Sequence, residues 1–255
     1  MNRDPRQQAY LKAMDIDVWV QRNVVPTVAD VPVVEETVPS APRVVIEGIE
    51  TIPLSHNDAS AVNSLDWPEL KQQVVNCQLC ELHATRTQAV FGVGNQQADW
   101  LIVGEAPGAD EDRQGEPFVG RAGQLLNEML KAIGLQREQV YIANILKCRP
   151  PGNRDPKQEE AVSCSPYLQR QIELIQPKVI LALGRIAAQR LLQSNTSLAR
   201  LRGQVHHLES TQRPVIVTYH PAYLLRSPAE KRKAWQDLLF AKKYVTQAME
   251  AESGS

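Results

Sequence analysis

The sequence predicts an α/β fold of three αβα layers, in which helices cover both faces of a central, mainly parallel sheet of four strands. Four short apolar runs alternate along the chain with segments of helical period. This alternation is typical of parallel sheets, because a connection between parallel strands needs a crossover. The 255 residues are 43% hydrophobic and 22% charged, so the chain has enough apolar side chains to bury a core.

The predicted strands are the apolar runs, and a turn or polar residue follows three of them directly. They are residues 100–103, 140–145, 179–183 and 215–219. Gly104, Gly184 and His220 follow the first, third and fourth runs. Ligands of open parallel sheets bind beyond the carboxyl ends of the strands, so we expect the functional residues in these loops.

The predicted helices have apolar residues at helical spacing and carry start signals. They are residues 68–76, 124–133, 156–175 and about 228–249. Asp66 and Asp155 each stand one or two residues before a proline, which favours a cap followed by a first helical turn. Ser227 and Pro228 repeat this signature before the last helix.

The formal net charge of -1 hides an uneven distribution along the chain. Residues 1–66 contain 5 Lys and Arg against 10 Asp and Glu, together with six prolines, whereas residues 67–255 carry a net charge of +4. Proline blocks helices and removes a backbone donor, so we predict a mostly disordered acidic tail over 1–66. The catalytic domain is predicted over 67–250, and a disordered C-terminus over 251–255.

One island of apolar residues interrupts the predicted tail, at about 9–21. A short helix there would need a surface to bind, because isolated short helices are marginal in water. The alternatives are that it docks on a replication or repair partner, that it packs on its own domain, or that it has no role.

Two features predict where the protein works. No apolar run reaches the roughly 18–20 residues needed to cross a bilayer, and the N-terminus lacks the pattern of a signal peptide. We therefore expect a cytoplasmic protein that makes no contact with membranes. We also expect a monomer.

All four cysteines fall between residues 77 and 164, with one pair separated by two residues. Three kinds of site are compatible with them: a redox dithiol, a zinc site and an iron–sulfur cluster. A redox pair would leave two of the cysteines unused. Zinc and iron–sulfur clusters both accept four thiolates at such spacing, and the spacing alone does not decide between them.

Four loop motifs, combined with the cysteine pair, resemble the family 4 uracil-DNA glycosylases, the iron–sulfur members of their superfamily. They are residues 104–108 (GEAPG), 115–123 (GEPFVGRAG), 144–151 (NILKCRPP) and 220–226 (HPAYLLR). The resemblance covers about residues 70–245 in the order and spacing of the motifs. It implies removal of uracil from DNA, with an abasic site as product, at the start of base excision repair. It also implies a [4Fe–4S] cluster, bound by Cys77, Cys80, Cys148 and Cys164.

The chemistry of uracil release suggests a role for each loop residue. A base must leave the DNA stack to be reached, and Phe118 offers it an apolar face. The Asn144 amide can accept the uracil N3–H and donate to O4, which cytosine cannot match. His220 can donate to uracil O2 while negative charge grows on the ring. The structural alternatives are a core phenylalanine, an asparagine that caps a turn, and a histidine positioned by the proline after it.

The first loop contains the candidate carboxylates. Glu105 and Glu111 can orient the attacking water or stabilise the cationic sugar, and Glu111 can instead crowd C5 and reject thymine. Ala106 stands in the substrate site where other branches of the superfamily have Asp or Asn.

For DNA itself, we expect backbone N–H groups at a helix start to bind phosphate and an apolar tip to enter the base stack. The residues concerned are Gly120, Gly123, Leu224, Leu225, Arg226 and Ser227. An alternative from another class is a non-catalytic, metal-stapled module that only binds nucleic acid.

Overall fold

A mixed sheet of six strands lies at the centre of the computed structural model, which describes residues 62–253 of the chain. The strands are β1 (Val93–Gly94), β2 (Trp100–Gly104), β3 (Tyr141–Asn144), β4 (Val179–Leu183), β5 (Val205–His207) and β6 (Pro214–Thr218). Their order across the sheet is β1-β3-β2-β4-β6-β5. The four inner strands are parallel and correspond to the four predicted strands, whereas the two edge strands are antiparallel.

The prediction of a four-stranded sheet is therefore wrong in the number of strands, because it omits both edges. β1 has two residues and β5 has three. An alternation of apolar and polar residues cannot be recognised over so short a stretch. The fold is α/β with a mixed sheet whose parallel centre agrees with the prediction.

Eight α-helices flank the sheet within residues 62–253. They are α1 (Trp67–Val75), α2 (Ala109–Gln114), α3 (Arg121–Ala132), α4 (Gln158–Ile175), α5 (Gly184–Leu191), α6 (Leu198–Leu201), α7 (Pro221–Arg226) and α8 (Lys231–Ser253). The sequence predicts α1, α3, α4 and α8, with small shifts at their ends. The other four helices have four to eight residues, which is too short for a helical period to be recognised.

The side chains of β2 show how the sheet separates two cores. Leu101 and Val103 are buried among residues of α1 and α4, whereas Trp100 and Ile102 are buried among residues of α3 and α8. Successive side chains of a strand point to opposite faces. An uninterrupted apolar strand therefore requires cover on both faces, and the helices provide it.

The helix starts agree with the predicted signals at α1 but not at α4. Asp66 Oδ1 accepts the Glu69 N–H at 2.9 Å, and Glu69 Oε2 accepts the Asp66 N–H at 2.9 Å, which closes a capping box. α4 begins at Gln158, two residues later than predicted. There the Glu160 carboxylate accepts the N–H of Lys157 at 2.8 Å. This acidic side chain therefore satisfies one of the free backbone N–H groups at the helix start.

Residues 1–61, 254 and 255 lie outside the described residues, and with them nearly all of the predicted tail and the whole segment 9–21. Val62 is buried, Leu65 packs against the core, and Arg170 Nε donates to the Leu65 carbonyl at 2.8 Å. Packed structure therefore starts several residues before Trp67. No helix in the described part of the chain is long and apolar enough to cross a membrane.

Candidate active site

The carboxyl ends of the inner strands bring the predicted site residues to one edge of the sheet. Gly104 at the end of β2 pairs in register with Asn144 at the end of β3. β4 leads directly into α5, which begins at Gly184, and β6 is followed closely by His220. The order of these loops across the site differs from their order along the chain, because β2 lies between β3 and β4.

Phe118 and Asn144 meet above Gly104. A Cβ atom on Gly104 would lie 2.4 Å from Asn144 Oδ1 and 2.7 Å from Phe118 Cε2 and Cζ, so both side chains occupy the space that glycine leaves. Asn144 is 2% exposed, and its Oδ1 has no hydrogen-bond partner in the described part of the chain. Such a buried acceptor costs about 1–3 kcal/mol unless a ligand satisfies it.

The backbone at Phe118 is held in an uncommon conformation. Its φ is 54°, in the left-handed region that a bulky residue rarely adopts. Arg137 Nη2 donates to the neighbouring Pro117 carbonyl at 2.5 Å. A Cβ on Gly123 would lie 1.7 Å from the Phe118 carbonyl oxygen, so only glycine permits this approach. Strained backbone that the surroundings enforce is a frequent feature of functional sites.

His220 completes the group, because its ring lies 5.5 Å from the Phe118 ring between centroids, tilted by 33°. Its Nδ1 accepts the Ala222 N–H at 3.2 Å, which assigns the ring proton to Nε2. Burial, and next the positive charge of Arg226, lower the pKa of His220 to about 4, while the charge of Glu111 opposes the shift. The ring is therefore neutral near pH 7 and offers Nε2–H as a donor.

The two candidate carboxylates, Glu105 and Glu111, have different surroundings in the structure. Burial, and next the negative charge of Asp155, raise the pKa of Glu105 to about 7, while Arg185 opposes the shift. Arg185 Nη2 and Asp155 Oδ2 form an ion pair at 3.0 Å. A carboxylate with such a pKa can exchange a proton near neutral pH.

Glu111, in contrast, binds backbone. Its Oε2 accepts the Gly108 N–H at 3.1 Å, and its Oε1 accepts the N–H groups of Val119 and Gly120 at 3.0 and 3.1 Å. These bonds tie the first loop to the loop that carries Phe118. The geometry favours a positioning role over the predicted direct contact with water or sugar.

The four cysteines line one cavity of about 250 Å³, part of which is open to solvent. Two of them follow α1, one follows β3 and one lies in α4. Arg86 Nη1 donates to Cys148 Sγ at 2.9 Å, and the Lys147 N–H donates to Cys164 Sγ at 3.3 Å. Burial raises the pKa of the Cys164 thiol to about 12, so a bound cation is needed to keep it as a thiolate.

In residues 62–253, no three His, Cys, Asp or Glu side chains converge closely enough to hold a single metal ion. Four thiols around a shared space suit a larger group, because a cluster places its own atoms between the sulfurs. The donor set therefore fits an iron–sulfur cluster.

Comparison with known proteins decides the family. A family model described as the uracil DNA glycosylase superfamily matches residues 91–239, more than half of the chain. The chain belongs to this superfamily. A type-4 uracil-DNA glycosylase of Archaeoglobus fulgidus is 50% identical over 173 residues, which cover 66% of this chain and 86% of that protein.

Two further relatives agree with this placement. The type-4 uracil-DNA glycosylase of Pyrobaculum aerophilum is 43% identical over 180 residues, which cover 68% of this chain and 92% of that protein. The type-4 enzyme of Thermotoga maritima is 42% identical over 179 residues, with 69% and 93% covered. The predicted membership of the type-4 branch is confirmed.

In this superfamily member the predicted phosphate-binding glycines have other contacts. The Gly120 N–H is donated to Glu111, and Gly123 provides room for the Phe118 carbonyl. Ala106 is partly buried and packs against the core. These contacts show that the two glycines shape the site, and the binding of phosphate by them stays a prediction.

The predicted wedge residues of this superfamily member lie on α7, directly after His220. Leu224 is buried in the core, whereas Leu225 is 36% exposed and Arg226 is exposed. The Ser227 side chain makes no capping bond, and its carbonyl accepts the Glu230 N–H at 3.0 Å instead. Only the outer side of α7 is therefore available to DNA.

Sequence reasoning missed two groups that the fold brings to the site. Asp155, in the loop before α4, and Arg185, in the first turn of α5, act electrostatically on Glu105, and no local pattern signals this. Lys147 is buried beside the cysteines. Its position between the end of β3 and Cys148 was the one signal in the sequence for a role at this site. Its burial is unusual, because lysine is rarely fully buried.

Proposed function

We propose that this chain hydrolyses the N-glycosidic bond of flipped-out uracil in DNA and leaves an abasic site. Water adds to C1′ of the sugar, the C1′–N1 bond breaks, and its electron pair leaves with the uracil. The observation that carries the proposal is the group formed by Asn144, Phe118 and His220, in which a buried acceptor without a partner lies beside an aromatic face and a neutral histidine.

Asn144 supplies base selection in this proposal. Its unpartnered Oδ1 accepts the uracil N3–H, which relieves the cost of burying that oxygen. Cytosine has no proton on N3, so it would leave the oxygen unsatisfied. A site built to pair with a ligand N–H rejects analogues that lack it. Phe118, held rigidly over Gly104, provides the surface on which the base stacks.

His220 stabilises the leaving group. With Nδ1 engaged by the Ala222 N–H, the Nε2–H is directed away from α7 as a donor for uracil O2. A neutral imidazole suffices, because the charge on the departing base is delocalised and a fixed dipole lowers its energy. Burial keeps the ring neutral throughout the physiological range.

Glu105 is the candidate for orienting water. It follows Gly104 directly, and its raised pKa allows it to take up the proton released by the water near pH 7. We assign Glu111 to holding the two loops together, because all three of its hydrogen bonds go to backbone N–H groups.

For DNA, we propose that Leu225 and Arg226 face the duplex, since α7 exposes them next to His220. An apolar side chain at this place can fill the gap that the flipped nucleotide leaves. Arg226 can pair with a phosphate.

We propose that the cysteine site holds a [4Fe–4S] cluster, on Cys77, Cys80, Cys148 and Cys164. The support is the shared cavity, the donor set and the two N–H···S bonds that a thiolate would strengthen. When bound, the cluster supplies a cross-link between α1, the segment after β3 and α4. Hydrolysis needs no electron transfer, so no step of the reaction depends on its redox chemistry.

The activity test is release of uracil from a uracil-containing oligonucleotide. We expect Asn144→Ala and His220→Ala each to lower the single-turnover rate by roughly 100-fold or more. His207→Ala, in the exposed end of β5, is the matched control and should keep the wild-type rate. Undiminished release by the two variants combined would refute the assignment. DNA binding without release by the wild type would favour the non-catalytic module.

The cluster test is the colour and metal content of anaerobically purified protein. Broad visible absorption with iron and sulfide is expected, and its loss in Cys148→Ser and Cys164→Ser. Colourless protein that contains zinc would contradict the proposal.

We further propose that residues 1–61 form an extension of the catalytic domain, whose segment 9–21 recruits a replication or repair partner. Deletion of residues 1–61 should leave the rate of uracil release intact while abolishing that recruitment. A loss of activity would show instead that these residues belong to the folded domain. The cytoplasmic location and the monomeric state stay predictions from the sequence.

A further inference from the structure

Lys147 is a buried cation whose hydrogen bonds go to neutral acceptors. Its side chain is 1% exposed, and its Nζ donates to the Asn144 carbonyl at 3.0 Å and to Gln171 Oε1 at 2.6 Å. No carboxylate within residues 62–253 forms an ion pair with it. A buried ammonium without a counter-charge is costly, so a source of negative charge is expected nearby.

The sulfurs of the cysteine site can supply this negative charge. Cys164 and Cys148 interact electrostatically with the Lys147 ammonium, and the Lys147 N–H donates to Cys164 Sγ at 3.3 Å. Thiolates on an iron–sulfur core leave the centre with net negative charge. Arg86 approaches the same centre from another direction, through Cys148 Sγ at 2.9 Å.

The side chain of Lys147 bonds to the backbone of a residue in the proposed uracil pocket. Its bond to the Asn144 carbonyl spans the turn that follows β3, and the Asn144 side chain meets Phe118 over Gly104. Gln171 anchors the ammonium to the body of the domain, because its Nε2 donates to the Phe91 carbonyl at 3.0 Å. Lys147 thus contacts both places, because its side chain bonds to the backbone of Asn144 and its own backbone N–H bonds to Cys164 Sγ.

We propose that Lys147 is a positioning residue that couples the iron–sulfur centre to uracil recognition. Its ammonium balances the negative charge of the centre and, through the Asn144 carbonyl, fixes the end of β3 so that the Asn144 amide faces the base. This rests on the proposed function for the identity of the base and of the cluster. Removal of the charge at Lys147 should therefore change two measurable properties. One is the reduction potential of the centre, and the other is the recognition of uracil.

The test uses the full chain with its cluster, and compares Lys147→Met with Lys178→Met. Methionine keeps the length of the side chain and removes its charge. The matched control is Lys178, which forms an ion pair with Asp99. It lies just before β4, at the amino ends of the inner strands and away from the site. The measurements are the reduction potential of the centre by voltammetry, and kcat and KM for uracil release from an oligonucleotide.

Lys147→Met should shift the potential to more negative values, because a lost positive charge destabilises the more electron-rich state. We expect about a tenfold change in the reduction equilibrium, which is about 59 mV for one electron. It should also lower kcat/KM for uracil by about tenfold or more, mainly through KM, whereas Lys178→Met should change neither quantity. An unchanged potential would overturn the charge role, and a shifted potential with unchanged KM would overturn the coupling.

Lys147→Arg decides the case in which the methionine variant does not assemble. Arginine keeps the charge but cannot reproduce both short bonds of the ammonium. We expect it to load iron with a potential near wild type and to show a raised KM. Failure to load iron would overturn the charge role, and an unchanged KM would overturn the coupling. A wild-type protein that releases no uracil would instead refute the proposed function, and the potential of Lys147→Met would still report the charge role.

Discussion

Replacing Gly104 by alanine should damage the active site more than it damages the fold. The added Cβ would lie 2.4 Å from Asn144 Oδ1 and 2.7 Å from Phe118 Cε2. Ordinary contact begins near 3.4 Å, so the amide or the ring must move by about 1 Å. Misplacement of a reacting group by about 1 Å costs roughly 100-fold in rate. Overpacking of this size costs about 1–3 kcal/mol of stability.

The assay for this prediction is single-turnover uracil release, combined with urea unfolding of the same preparation. We expect Gly104→Ala to lower the rate by about 100-fold while the protein remains folded at 25 °C. The matched control is Gly203→Ala, where φ is +77° and no atom lies within 4 Å of the new Cβ. Backbone strain should destabilise that variant by about 1–2 kcal/mol and leave the rate unchanged.

Either of two results would refute the predicted effect of Gly104→Ala. A wild-type rate in Gly104→Ala would mean that the positions of Phe118 and Asn144 do not limit catalysis. An equal loss of rate in Gly203→Ala would mean that the rate follows global stability and not the geometry of the pocket.

Three further perturbations test the electrostatics of the domain. The rate should rise with pH through about 7 as Glu105 ionises; Asp155→Asn should move this step to lower pH, and a step that persists in Glu105→Gln would exclude the assignment. His220 binds its proton less readily in the folded protein than at its ordinary pKa of 6.5, so the free energy of unfolding should fall as the pH drops from about 6.5 to about 4. That loss, about 3 kcal/mol at most, should be absent from His220→Phe in urea titrations. Asp237→Ala removes the carboxylate that lies 2.7 Å from Arg202, whose side chain is 12% exposed. A loss of about 3–5 kcal/mol in urea unfolding is expected, and a loss below 1 kcal/mol would contradict the importance of this largely buried ion pair.

Much of the site was predictable because its residues stand directly after strongly apolar strands. Asn144 is the last residue of β3 and His220 comes shortly after β6; both strands are buried, and parallel strands place their carboxyl ends on one side of the sheet. The same logic fails for the edge strands and the short helices, because two to eight residues show no measurable period. It also fails for Leu224, since a local motif does not tell which side of a short helix the core covers.

Glu111 illustrates a different limit of sequence-based prediction. Its place in a glycine-rich loop suggests chemistry, yet its carboxylate accepts three backbone N–H groups. Which groups face a carboxylate depends on how two loops pack, and the loops are separated along the chain. The sequence predicts that this carboxylate contacts water, the sugar or C5 of the base, whereas the geometry favours a positioning role.

The sequence by itself predicted the parallel α/β centre, the four cysteines as one site and the loop residues of the candidate pocket, because apolar periodicity and motif spacing are local properties of the chain. Only the tertiary structure decided the sheet edges, the pairing of Asn144 with Phe118 over Gly104, the raised pKa of Glu105 and the path from the cysteines through Lys147. The physical reason is that burial, electrostatic neighbours and unpartnered polar atoms depend on contacts between segments distant in sequence, which no local pattern records.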